Sequence, residues 1–383
     1  MAGVLIYVQH LLGSGHLHRV ARIAAELASL GVPVTLCSGG ERVRGLALPA
    51  GVRFVQLEPL HCAANDFTTL LDHRGRPLDE RLCATRQRQI SAALAATAPR
   101  VALIESFPFA RRQMRFELLP LLEQLRERSI ATVCSVRDIL QIKSKPQREQ
   151  ETLALLGDFF SAVLVHADRR VVELQATFRN AGQIACDVHY TGYVAAPPVP
   201  ARDGLAAEAA DIVVSAGGGA VGYPLFRAAL DACRAGCQAD KRWRFLLGGG
   251  LRAEQGERLR AEAPDNACVT PVSEHFTTLL QDCTLSISQA GYNTVVDVLQ
   301  AGCRGLLVPY ALRGEMEQTL RARRLRDLGL LASCNGNGLS TTQLAGCVDG
   351  IMAQAPAKAA LTVDLHGARN SAALLKSWAS AAT

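Results

Sequence analysis

The 383-residue sequence contains no apolar run of about 18 uncharged residues, the length that a membrane-spanning helix needs. Its start, Met1–Gln9, lacks the basic region and small-residue cleavage site of a secretory signal and runs straight into a strand-like apolar stretch. Both absences point to the cytoplasm. None of the twelve cysteines forms a Cys-x-x-Cys pair or a Cys/His array with zinc-finger spacing. They read as reduced thiols packed as small hydrophobes. No Asp-x-Asp pair is present, and lysine is scarce: five against 36 arginines. What remains is a chain 49% apolar and 20% charged, which excludes disorder and fibrous repeats and suits about two globular domains.

The net charge is +6. Residues 1–195 carry 23 basic and 18 acidic side chains, or +5, so the remainder carries +1. Between Arg81 and Arg115 stand seven arginines and one acid, Glu105. With Phe107, Phe109, Met114 and Phe116 nearby, this stretch could dock on anionic lipid; the alternative is a solvated helix face with core aromatics. No nucleic-acid partner is expected.

Hydrophobic periodicity alternates strands and helices along most of the length. Strands are predicted at Val4–Val8, Val32–Cys37, Val52–Leu57, Val101–Ile104, Ile130–Val136 and Ala162–Val165. Leu17–Leu30 reads as a helix, with others near 80–97, 111–128, 146–157 and 168–178. The proline-rich stretch Ala195–Gly204 reads as a linker. The alternation restarts with strands at Ile212–Ser215, Trp243–Leu247 and near 267–270, 284–287 and 304–308. Helices follow at 223–234, 274–281, 292–301 and 315–328, and a last helix at 367–381 has no strand after it. The fold class is therefore α/β, with two Rossmann-like parallel-sheet domains facing across a cleft. Residues 1–195 are expected to form one domain and 196–365 a second. The C-terminal helix, 366–383, packs back on the first domain. In such sheets function sits beyond the carboxyl ends of the strands.

Three loops after strands carry candidate chemistry. The first, Gln9–Arg19, contains Gly13, Gly15 and His16 at a helix start, where a neutral imidazole can take a proton from a hydroxyl. The helix dipole would keep that imidazole neutral. His18 and Arg19 read as weaker candidates, and a capping role for His16 is the alternative. The second loop, Ser215-Ala-Gly-Gly-Gly-Ala-Val-Gly222, permits close approach of a diphosphate, though it is neither a GxGxxG nor a Walker loop. Gly248–Gly250 is a similar turn. The third segment runs Ser286-Ile-Ser-Gln-Ala-Gly-Tyr-Asn-Thr-Val-Val-Asp297. It continues through Ala301–Tyr310 to Glu315-Met-Glu-Gln318. Here Gly291, Asn293 and Thr294 open a helix suited to a phosphate, Asp297 can accept ribose hydroxyls, and Glu317 and Gln318 can bind sugar hydroxyls. Two acids end N-terminal strands, Glu105 and Asp138. Either could be the base, orient His16 or bind an acceptor; alternatively Glu105 pairs with Arg111 or Arg112, and Asp138 caps a helix. Arg137 could contact acceptor or phosphate.

Taken together, Gly-Ser-Gly-His16, the triple glycine and the Ser-Gln-Ala-Gly-Tyr-Asn-Thr block resemble GT-B glycosyltransferases of family 28, the type that includes the peptidoglycan N-acetylglucosaminyltransferase. Glu105–Arg112 and Tyr190–Val194 look closer to a subgroup of predicted bacterial glycosyltransferases of that fold. The resemblance implies a UDP-sugar donor. Gly217, Gly218 and Gly219 would approach its diphosphate, with Gly15 in the facing loop and the Val272 backbone at the base. Gly291, Asn293 and Thr294 would lie at the phosphates, Asp297 at the ribose, and Glu317 and Gln318 at the sugar. His16 would be the base. The chain departs from the family pattern at Gln289 (often Arg), Asp297 (often Glu), Glu317 and the second glycine loop, which puts the donor sugar in question.

The implied reaction moves a sugar from a nucleoside diphosphate to an acceptor hydroxyl of a small molecule, glycan or lipid-linked carrier, with inversion and without a metal or other cofactor. A nucleotide-sugar 2-epimerase or hydrolase of the same fold is the alternative, followed by a non-catalytic nucleotide-sugar-binding subunit. A peripheral position at the inner face of the membrane would suit a lipid-linked acceptor.

Overall fold

The computed structural model describes residues 3–11, 13–43, 45–63, 66–141, 146–197, 209–217, 221–272, 276–311, 316–355 and 361–381. The chain divides into two compact units. The first is Met1–Ala195 with Asp364–Thr383, the second Ala196–Val363.

The first unit opens with β1 (Gly3–Val8), α1 (Gly15–Ser29), β2 (Val34–Ser38) and β3 (Val52–Gln56). A hairpin of β4 (Leu60–Ala63) and β5 (Asp66–Asp72) leads to α2 (Glu80–Thr97). Then follow β6 (Pro99–Glu105), α3 (Arg115–Glu127), β7 (Ala131–Arg137), α4 (Pro146–Phe159), β8 (Ala162–His166) and β9 (Asp187–Tyr190). Seven strands form a parallel sheet in the order β3-β2-β1-β6-β7-β8-β9. The chain order reverses between β1 and β6. Their carboxyl ends therefore frame the crevice where such sheets hold ligands.

The second unit repeats the plan with β10 (Ile212–Ser215), α5 (Tyr223–Arg234), β11 (Trp243–Leu247), α6 (Ala253–Ala261) and β12 (Ala267–Pro271). Then come α7 (Phe276–Asp282), β13 (Leu285–Ser288), α8 (Tyr292–Ala301), β14 (Arg304–Leu307), α9 (Glu317–Asp327), β15 (Ala332–Ser333) and α10 (Thr341–Met352). Its parallel sheet has the order β12-β11-β10-β13-β14-β15, and the reversal falls between β10 and β13.

The inner strands of both sheets are buried on two faces, so they read as continuous apolar runs rather than alternating ones, while the edge strands β3, β9 and β12 are partly exposed. Val4, Ile6 and Val8 of β1 pack with Leu17, Val20, Ile23, Ala24 and Leu27, the apolar stripe of α1. The last helix, α11 (Gly367–Ala381), contributes Ala368, Ala372, Leu375 and Ala379 to this same core. Its entry is tight. The Val194–His366 bridge and the Tyr193 N–H to Asp364 carbonyl bond (2.8 Å) pin it, and a Cβ on Gly367 would meet the Gly192 carbonyl oxygen at 2.4 Å.

Several expectations need correction. The helix predicted at 168–178 is a short 3-10 turn, Leu174–Ala176. The Asp168 carboxylate instead accepts bonds from the N–H groups of Arg170 and Asp364, which fixes a turn where a helix would start. The β4–β5 hairpin, β9, α6, α10 and β15 carry no clear periodicity and are additions to the expected order. The proposed linker falls largely in 198–208, outside the described residues.

The arginine cluster does not form one surface. Arg86 is buried, Arg112 and Arg115 both pair with Glu151, and Phe107, Phe109 and Met114 lie in the core. No helix among the described residues is long and apolar enough to cross a membrane. All twelve cysteines are free thiols, most of them buried.

Candidate active site

The N-terminal site forms where β1 and β6 end side by side, Tyr7 opposite Ile104. His16 is the second residue of α1, and Glu105 is the last of β6. The topology therefore brings together two residues 89 positions apart: His16 Nδ1 lies 2.8 Å from Glu105 Oε1. The His16 side chain is 17% exposed and that of Glu105 fully buried. Arg19, one turn along α1 and also buried, donates to the same Glu105 oxygen. Ser106 Oγ donates to Oε1 at 3.0 Å, and Ser135 Oγ, from β7, donates to Oε2.

Burial of Glu105 favours its neutral form. The Arg19 charge and the bonds from His16 and Ser135 outweigh this and hold the carboxyl well below the usual carboxylate range. An ionised carboxylate only accepts hydrogen bonds. Nδ1 of His16 also lies 3.1 Å from Arg19 Nη2, but its contact with the carboxylate is the shorter; that contact places the proton on Nδ1 and leaves Nε2 with a bare lone pair. The imidazole is also held neutral. Burial and the Arg111 charge, with Arg19 adding to it, push its pKa down to about 3 despite the bond to Glu105. Burial and the arginines account for the neutrality expected from the helix dipole. The result is a neutral imidazole oriented by a carboxylate.

The supporting shell is polar and buried. Arg111, in a left-handed backbone conformation, donates through Nε to the Gln9 carbonyl (2.8 Å) and so braces the loop before α1. Behind it, Arg86 makes two bonds to Glu117 (2.7 Å each) and one to Gln9 Oε1 (2.9 Å). Neither Arg111 nor Arg112 takes the Glu105 partnership that was the alternative; Arg19 does. Gly15 starts α1. Asp138 is buried just past β7, and its Oδ1 accepts the Ile139 N–H at 2.8 Å. In the sheet order β7 lies two strands from β1, on the far side of β6. Sequence reasoning missed Ser106, Ser135 and His166, whose small or apolar neighbours give no pattern to find them by.

The second unit has its own strand-end site, at the β10/β13 reversal. Ser215 and Ser288 are opposite each other in register there. Their hydroxyls, and that of Ser286, are buried and have no hydrogen-bond partner among the described residues. Gly217 follows β10 with φ +66°, a conformation that favours glycine, and a Cβ there would sit 3.3 Å from Thr294 Oγ1. Gly218 and Gly219 lie outside the described residues. Gly291 precedes α8 without any side-chain cap, and the space beside its Cα is open. The first-turn N–H groups of α8, around Asn293, thus lie beside an uncapped glycine. Thr294 and Asp297 are buried on the same helix, Asp297 one turn beyond Asn293.

The remaining candidates are tied into the protein. Gln289 donates from Nε2 to the Val221 carbonyl (3.2 Å) and so anchors the far end of the glycine loop. Glu317 accepts from Arg321 Nη2 at 2.9 Å; Arg321 Nη1 donates to the Ala290 carbonyl at 2.6 Å, and the guanidinium lies over the Tyr292 ring. Arg321, which no sequence pattern singles out, thereby fixes the entry to α8. Gln318 accepts the Tyr310 N–H at 3.0 Å. Val272, past β12, is 49% exposed, and its own N–H bonds the Leu247 carbonyl.

Residues 212–373 match the glycosyltransferase family 28 C-terminal domain. Solved structures with similar folds include the glycotransferase of kitacinnamycin, with a TM-score of 0.63 at 15% identity over 100% of this chain and 97% of that one. MurG of Acinetobacter baumannii gives 0.56 at 16% identity, covering 97% and 95%. A UGT transferase from Siraitia grosvenorii in complex with UDP gives 0.57 at 14% identity, covering 98% and 94%. The fold is that of the GT-B glycosyltransferases. With its family 28 C-terminal domain, the chain is an enzyme of the glycosyltransferase class.

Proposed function

We propose that the enzyme transfers a sugar from a UDP-sugar to an acceptor hydroxyl, with inversion, and that His16 is the base. Nε2 of His16 takes the hydroxyl proton as the acceptor oxygen bonds to the anomeric carbon. The bond from that carbon to the diphosphate breaks, and UDP leaves. Glu105 holds the imidazole in the required tautomer and stabilises the imidazolium that forms, as a buried acid does in other base-acid pairs. The observation that carries this reading is the 2.8 Å contact between His16 Nδ1 and a carboxylate kept ionised by Arg19.

The donor reading rests on the second unit. Gly217, Gly291, Asn293 and Thr294 surround a helix N-terminus of the kind that binds phosphate. The buried hydroxyls of Ser215 and Ser288 add donors without partners among the described residues. Backbone N–H groups and the helix dipole would stabilise the leaving diphosphate without a metal. Asp297 would hold the ribose. Glu317 and Gln318 act first on the protein, positioning α8 and the loop after β14; contact with the sugar would use their remaining acceptor capacity. Asp138 and Arg137 would serve the acceptor side.

A thermal-shift series with UDP, other nucleoside diphosphates and their sugars tests the donor. UDP at 100 times its Kd should stabilise by about 2.7 kcal/mol, and no shift with any nucleotide would overturn the reading. Incubation with UDP-sugars and no acceptor separates transfer from the alternatives, since rapid epimer or free-sugar formation would favour an epimerase or hydrolase. Sedimentation with anionic vesicles at low and high salt tests peripheral membrane contact.

A further inference from the structure

The hydrogen bonds of the first unit do not stop at Glu105. Ser135 Oγ, which donates to Glu105 Oε2, also lies 2.8 Å from His166 Nε2. His166 is the last residue of β8, two strands from Glu105, and is fully buried. Its Nδ1 lies 2.9 Å from Thr191 Oγ1. We infer that Ser135, His166 and Thr191 form a directional chain of positioning residues that fixes the Glu105 carboxylate, and through it the tautomer of His16. This inference rests on the reading of His16 as the base.

The direction follows from counting hydrogens. Ser135 has one hydroxyl hydrogen. Its contact with Glu105 Oε2 is short and the carboxylate cannot donate, so that hydrogen is spent there. Ser135 Oγ must then accept from His166, which places the proton on Nε2. His166 is held neutral, because burial and the Arg19 charge push its pKa down to about 3 against the opposing effect of Glu105. Its Nδ1 is therefore bare and accepts from the Thr191 hydroxyl, whose contacts with the Gly192 and Val165 carbonyls are longer, at 3.2 and 3.5 Å. In the opposite tautomer Ser135 would donate to His166 and turn a lone pair toward Glu105, which the short contact forbids. The groups facing His166 include Ser135 from β7, Thr191 past β9, and the charges of Arg19 on α1 and Glu105 on β6. The two histidines should hold opposite tautomers: a proton on Nδ1 in His16 and on Nε2 in His166.

Nitrogen-15 NMR of the full chain, selectively labelled at histidine and assigned with H16Q and H166Q, reads this without any acceptor. The expected spectrum at pH 7 has His16 as the Nδ1–H form and His166 as the Nε2–H form. Ser135→Ala should shift the His16 ring signals. Turnover, followed as UDP release from UDP-glucose and UDP-N-acetylglucosamine, should fall about tenfold in kcat at unchanged donor KM. That is less than the 10²–10⁴ contributed by a general base itself. H166Q keeps an N–H near the Nε2 position and should retain kcat within about threefold, whereas H166L should match S135A. If S135A does not fold, the H166Q and H166L pair carries the same comparison. A proton on His166 Nδ1, or His16 signals and kcat unmoved in both S135A and H166L, would overturn the inference. If instead H16A itself turns over normally while the spectra fit, the base reading falls and the hydrogen-bond chain stands.

Discussion

The two units share a topology but treat their strand ends in opposite ways. In the first, the polar groups at the β1/β6 reversal are occupied by one another: His16, Arg19, Ser106 and Ser135 all converge on Glu105. In the second, the β10/β13 reversal presents Ser215, Ser286 and Ser288 with no partner among the described residues, next to an uncapped helix start at Gly291. Buried polar groups left unpaired cost about 1–3 kcal/mol each, so they need a reason. A ligand that brings its own acceptors is such a reason. On the proposed reading, the first site is prepared for proton chemistry before anything binds, and the second is completed by what binds.

Breaking the first site should have the larger effects. Replacing His16 by Ala or Asn should lower kcat by about 10²–10⁴ at saturating donor, measured as UDP release, while leaving donor KM unchanged. E105Q should cost stability as well as rate. It removes the anion facing buried Arg19, and loss of one member of a buried pair costs about 3–5 kcal/mol in urea unfolding. The second site should respond in affinity instead. Asp297→Ala should weaken UDP binding by about 10-fold to 100-fold in calorimetry, the worth of about 1.5–3 kcal/mol for a bond to a charged group. An equal loss of kcat in that variant, with affinity intact, would blur the distinction between the two units. G367A should destabilise the first unit by about 1–3 kcal/mol, because the added methyl meets backbone at 2.4 Å, and leave UDP affinity unchanged.

Acid should also distinguish the sites. His16 and His166 are both neutral when folded, with pKa values lowered to about 3, so the unfolded chain binds more protons below its normal histidine pKa of about 6.5. Stability therefore falls as pH drops from about 6.5 toward 3, and the depressed Glu105 carboxyl adds loss at the acid end of that range. H166Q removes one of these groups and should flatten the slope of unfolding free energy between pH 6.5 and 4. An unchanged slope would show that His166 is not a buried neutral histidine.

Much of this is legible in the sequence where one pattern dominates. The strand–helix alternation, the helix at 223–234, the strand Trp243–Leu247 and the helix at 292–301 follow from apolar runs and glycine turns alone. His16 stands out because a glycine-flanked histidine directly after a buried strand falls at a helix start, where the chain turns toward a ligand. Glu105 is marked as a strand-end acid, but the sequence cannot choose its partner, because the choice depends on which strands lie side by side. Arg19 reads only as a weaker candidate than His16 until α1 is placed against the end of β6. Ser135 and His166 sit inside apolar strands, where a small hydroxyl and a lone imidazole look like ordinary interior positions. Glu317 and Gln318 read as reaching for a sugar, yet they first hold Arg321 and the Tyr310 N–H.

A crystal of the enzyme soaked with UDP gives the most direct test. The account places the diphosphate at the start of α8, against Gly217, Gly291 and the N–H groups of Asn293 and Thr294, with the ribose at Asp297. UDP bound at the ends of the first sheet, or absent from the second unit at saturating concentration, would contradict it.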